Sequence, residues 1–142
     1  MRRKSCAWIL SILVSASALA ADIPGIDVKT LVKTNQTWDG TPLPAYPAST
    51  PEISVLRFTI APGAQLPLHH HPVINVAYVI QGELRVTTDQ GLTKGLKAGD
   101  AVVELVDQLH FGKNEGTEPV ELVVVYAGTN GQKVTVLGDQ QP

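Results

Sequence analysis

The sequence predicts an all-β domain, an antiparallel sandwich or barrel, and three observations carry that expectation. From Glu52 onward, runs of five to eight residues rich in Val, Ile, Leu and Thr alternate with turn signals. Each run is short and ends at Gly, Pro or Asp, which suits strands better than helices. No segment offers an amphipathic helix of ten residues, and there is no tandem repeat or low-complexity tract. At 142 residues the chain makes one domain with a core of its own.

The first element is a leader. "MRRKSCAWILSILVSASALA" has a basic start (Arg2, Arg3, Lys4), an apolar middle and an Ala-Leu-Ala ending. That order reads as a secretory signal peptide over residues 1–20, cleaved after Ala20. The apolar run is short for a bilayer, which needs about 20 residues, so no membrane anchor is expected after cleavage. Cys6, the single cysteine, leaves with the leader, so disulfides and thiolate ligands are excluded from the mature chain. Loss of the three basic residues leaves 8 basic against 13 acidic side chains. With nothing basic clustered, nucleic acid is not an expected partner. A periplasmic or secreted location follows.

Residues 21–51 are expected to hold an amino-terminal strand, "IDVKTLVKT", and a proline-rich loop. Pro42, Pro44, Pro47 and Pro51 fall within ten residues, a density that forbids helix and central strand. Trp38 and Tyr46 lie in this loop, and anchoring it is their simplest role. Residues 52–142 carry the strands: "ISVLRFTI", "VINVAYVI", "LRVTT", "LTKGL", "AVVELV", "PVELVVVYAG" and "KVTVL".

All 4 histidines fall in two windows, "LPLHHHPVIN" and "DQLHFGKN". Side chains alternate faces along a strand, so His69 and His71 share a face and His70 points away. Pro72 favours extended backbone at His71. Two imidazoles at i and i+2, with His110 from a distant strand, are a common way to build a three-histidine metal site, the alternative for each being a surface or satisfied core histidine. Neutral imidazole suits Fe, Mn, Cu, Ni or Zn, and a carboxylate-poor set disfavours Mg and Ca. One divalent ion is expected, its identity open. Asn75 has the parity of His71 and falls on the same wall if the strand is unbroken. Val73, Ala77 and Val79 share that parity and leave room for a small ligand. Ile74, Val76, Tyr78 and Ile80 form an opposite face too apolar for solvent, to be covered by the amino-terminal segment or by a second subunit in a homodimer.

The spacing Gly63, five residues, His69, one residue, His71, three residues, Asn75, six residues, Gly82 resembles the first motif of the cupin superfamily. Asn75 stands where that motif usually has glutamate. Gly99, His110 and Asn114 resemble the second motif, with Leu105 and Asp107 in place of its usual proline and glycine. The sixteen intervening residues suit a small bacterial, type-2-like cupin. The resemblance implies a single antiparallel β-barrel of jelly-roll type holding a metal on His69, His71 and His110.

The missing glutamate shapes the expected chemistry. Three neutral imidazoles and Asn75 leave a dication uncompensated, which attracts an anionic small-molecule ligand. Glu104, inside "AVVELV", points outward to water in the simplest reading. Otherwise it orients His110 from outside the ligand set, or supplies the missing carboxylate. The function expected is a dioxygenase-like oxidoreductase on a small anionic or enolisable substrate. The alternative is a non-catalytic periplasmic cupin that binds a small ligand or metal. Lyase or isomerase chemistry lacks an obvious base.

Overall fold

The computed structural model describes residues 24–138; the signal peptide expected over residues 1–20 lies outside the described residues. Nine strands form among the described residues: β1 (Pro51–Ile60), β2 (His69–His70), β3 (Ile74–Gln81), β4 (Glu83–Thr88), β5 (Thr93–Lys97), β6 (Ala101–Val103), β7 (His110–Lys113), β8 (Val120–Thr129) and β9 (Val136–Leu137). They assemble into two antiparallel sheets, β1-β8-β3-β6 and β5-β4-β7-β2-β9. The longest ladder joins β1 to β8 from Pro51↔Thr129 to Ile60↔Val120. Two of these strands carry little propensity signal: β7, "HFGK", has no β-branched residue, and β2 is only two residues long. Both owe their pairing to the neighbouring chain.

Inner-facing residues of both sheets share one core, Val79, Leu122 and Tyr126 packing with Leu84, Val86 and Leu96. The sheets therefore lie face to face in a jelly roll. They are two sheets rather than one closed ladder among the described residues. The terminal strands β6 and β9 are only three and two residues long, so pairing stops before the edges meet. The chain passes from one sheet to the other at Gly82, which has φ 79° and where a Cβ would stand 2.7 Å from the Pro119 carbonyl oxygen. Only glycine fits there.

The amino-terminal strand does not form. Over residues 24–50 the backbone makes one isolated bridge, Gln36 to Pro42. Asp39 takes over the local hydrogen bonding, accepting from the Thr41 amide at 3.0 Å and the Thr41 hydroxyl at 3.1 Å. That arrangement closes a turn within the proline-rich loop, beyond the segment 26–34 expected as a strand, which makes no ladder. This segment does not cover the outer face of β1-β8-β3 either. Register puts Ile53, Val55, Val125 and Tyr78 on that face, and they are 60%, 62%, 41% and 40% exposed.

Candidate metal centre

Two short strands set the centre. β2 pairs with β7 at a single position, His69 opposite His110, so the two side chains project to the same side. The β2 ladder ends at His70, yet the alternation carries on for one more residue. His69, His71 and His110 are all buried, while His70 turns away toward Asp107, Nδ1 to Oδ1 3.5 Å. The three rings stand 4.6–5.1 Å apart. One nitrogen from each lies within 4.8 Å of the others, a grouping that could hold a metal ion.

The hydrogen bonds fix which nitrogen is free. His69 Nδ1 meets the Pro67 carbonyl at 2.7 Å, His71 Nδ1 the Val134 carbonyl at 2.8 Å, and His110 Nδ1 the Gln108 carbonyl at 2.8 Å. A carbonyl oxygen only accepts, so each Nδ1 donates its proton and Nε2 is the nitrogen each ring has left for a metal. Burial lowers the pKa of His69 to about 4 and also depresses that of His110. Those two rings are therefore neutral at pH 7.

Glu104 does not point outward to water. It follows β6, donates its amide to the Asn75 carbonyl at 3.2 Å, and turns its buried carboxylate inward. Its Oε2 lies 3.1 Å from His71 Nε2 and 4.0 Å from His110 Nε2. Burial pushes the carboxyl up, but the His71, His110 and His69 rings outweigh it and hold Glu104 below the usual carboxylate range. An ionised oxygen and an imidazole lone pair at 3.1 Å repel unless a proton or a cation lies between them. Metal–ligand bonds of about 2.0–2.2 Å separate ligand atoms by roughly 3–4 Å. The donor set fits a divalent ion on both counts.

Asn75 is fully buried, its amide nitrogen 3.4 Å from the Val73 carbonyl and its Oδ1 without a hydrogen-bond partner. It does not line the cavity onto which the histidines open. Asn114 holds the loop behind His110, donating to the Ile60 and Glu118 carbonyls at 2.9 and 2.8 Å and accepting from the Gly116 amide. Asp107 adopts φ 56°, the left-handed conformation for which the cupin pattern uses glycine at this place. Aspartate is one of the few other residues that tolerate it.

The cavity measures about 180 Å³. Tyr126 forms part of its wall, its ring 5.3 Å from that of His71. Burial and the Glu104 charge push the phenol up to about 12. Trp38 packs on the core and Tyr46 is 80% exposed, and neither reaches the cavity. Sequence reasoning did not find Thr135, which lies 3.2 Å from His71 Nδ1, or the Val134 carbonyl. A backbone acceptor on a distant segment leaves no mark on residue type.

A family model for the cupin domain matches residues 56–126. A germin-like protein, subfamily 2 member 2, of Arabidopsis thaliana is 35% identical over 83 residues, which is 55% of this chain and 38% of that protein. The chain thus spans less than two fifths of that relative's length. A conserved protein of Klebsiella pneumoniae with a double-stranded β-helix domain superposes with TM-score 0.55 at 28% identity, covering 78% of this chain and 87% of the other. An oxalate oxidase in complex with the substrate analogue glycolate superposes with TM-score 0.52 at 29% identity, covering 61% and 46%.

Proposed function

Because the chain belongs to the cupin domain family, we propose that it is an exported oxidoreductase with one divalent metal ion held by His69, His71, His110 and Glu104. The observation that carries this reading is the convergence of three imidazoles on Glu104, with every Nδ1 committed to a carbonyl. The ion, when bound, supplies Lewis-acid and electron-transfer chemistry. The protein's own groups do the rest. The carbonyls of Pro67, Val134 and Gln108 lock ring orientation, so little reorganises when the site fills. Glu104 offsets part of a dication's charge, the role left open by Asn75. Tyr126 keeps its proton at pH 7 and is a hydrogen-bond donor to whatever enters, not a base. Glu104 is engaged with the histidines, so among the described residues no free base lines the cavity. That absence disfavours lyase or isomerase chemistry and supports redox turnover of a small anionic or enolisable substrate.

Elemental analysis of the purified protein tests this. One equivalent of iron, manganese or copper per chain is expected. A metal-free protein that also refuses added metal overturns the reading, and stoichiometric zinc points to the non-catalytic alternative.

The apolar outer face of β1-β8-β3 supports a homodimer. A Val76→Lys substitution should dissociate it without changing metal content, measured by light scattering and elemental analysis.

A further inference from the structure

The cavity wall, beyond the metal-ligating set, restricts what can bind. Phe58, Leu66, Leu84, Val86, Leu122 and Val124 make up most of it, and Tyr126 and Thr135 add two hydroxyls. Among the described residues, no lysine, arginine, asparagine or glutamine lines the cavity. Arg57 and Arg85, each next in sequence to a lining residue, pair on the surface with Glu121 and Glu115. A ligand that enters therefore meets charge only at the metal centre.

On the proposed reading of that centre, a dication and the Glu104 carboxylate leave one net positive charge. One monoanionic head neutralises it. A second anionic group would sit against leucine and valine with no donor or cation to receive it, a burial that is costly. The rest of the ligand, by contrast, gains from every methylene set against the same wall. We infer that the site selects a small monoanion with one metal-binding head and a compact aliphatic body, and rejects dianions of similar size. The structurally similar oxalate oxidase is therefore a guide to the fold of this pocket and not to its ligand.

Three 2-hydroxy acids that share one chelating head make the test. Glycolate has no body, 2-hydroxyisovalerate carries an isopropyl group, and malate carries a second carboxylate. The full-length mature protein is loaded with cobalt(II) as a spectroscopic probe, and each acid is titrated at pH 7 by calorimetry and visible absorption. Binding should be tightest for 2-hydroxyisovalerate, by about tenfold or more over both glycolate and malate. Leu137 lines the cavity and is 37% exposed, so it can be replaced from the rim. Leu137→Arg should keep cobalt uptake while raising malate affinity relative to 2-hydroxyisovalerate. Malate or glycolate binding as well as 2-hydroxyisovalerate to the cobalt-loaded protein overturns this inference and leaves the metal centre standing. Failure to take up cobalt overturns the centre, and this selectivity with it.

Discussion

The two segments that build the centre depart from the cupin pattern in opposite ways. Residues 63–82 keep its spacing but carry Asn75 where the pattern has glutamate. Residues 99–114 depart at Leu105 and Asp107 but contain Glu104. The structure puts these differences side by side: the β3–β6 ladder pairs Val76 with Val103, and the next step brings Glu104 against Asn75 through a backbone hydrogen bond. A carboxylate missing from one strand is present on its neighbour, facing the same histidines. A site is a set of positions in space, and antiparallel pairing gives more than one sequence route to each position. The same holds for Asp107, where the backbone shape associated with glycine is met by another residue that tolerates positive φ.

Four experiments break or sharpen this comparison. The largest effect belongs to the histidines that both segments contribute. His71→Ala or His110→Ala should weaken metal binding by at least about 100-fold, whereas His70→Ala should leave it within about threefold. Equilibrium dialysis against a competing chelator reads all three; loss of metal in His70→Ala alone would mean that the strand faces are assigned one residue out of step.

Next comes the carboxylate. Glu104→Gln should weaken metal binding about 10- to 100-fold. The same substitution should stabilise the metal-free protein by about 1 kcal/mol, because the new amide can donate to His71 Nε2 without the cost of burying a charge. A second substitution, Asn75→Glu, should not restore the metal affinity, because Asn75 does not line the cavity onto which the histidines open. Opposite signs in chelator competition and in denaturant unfolding of the metal-free protein distinguish a ligand from a packing residue. Equal losses in both would assign Glu104 a structural role.

The pH dependence of the metal-free protein is smaller. The folded pKa of His69, lowered to about 4, lies below the unfolded value near 6.5. Between these values the unfolded chain binds more protons, so stability is full above about pH 6.5 and falls as pH drops toward 4. Discounted for residual solvent screening, the change is on the order of 2 kcal/mol. Chemical denaturation at several pH values should show it, and His69→Gln should flatten the profile. An unchanged slope in that variant would mean the rings titrate as though exposed.

The smallest effect concerns Asp107. Asp107→Gly should be neutral or stabilising by up to about 1 kcal/mol, and Asp107→Val should destabilise by roughly 1–2 kcal/mol, because a β-branched residue resists positive φ. Thermal unfolding resolves both. If valine is tolerated as well as glycine, backbone shape is not what this position contributes.

The sequence by itself determined most of the strands, though not β2 and β7, the sharing of one face by His69 and His71, and the opposite apolar face of β3. It placed Val73, Asn75, Ala77 and Val79 inward, where they pack in the core and do not line the cavity. These follow from the period of two and from turn residues, which act over a few positions and are written in residue type. It also determined that His110 belongs with the other two, through the cupin spacing. Only the tertiary structure decided that Glu104 turns inward, that β6 stops at Val103, and that residues 26–34 pair with no strand among the described residues. It alone decided which nitrogen of each ring is free. These outcomes depend on partners far along the chain: the Val134 carbonyl lies 63 residues from His71. Local alternation permits a carboxylate to face either way. What settles the face is the energy of an ionised group among three imidazoles compared with the same group in water, and that comparison exists only once the strands have met.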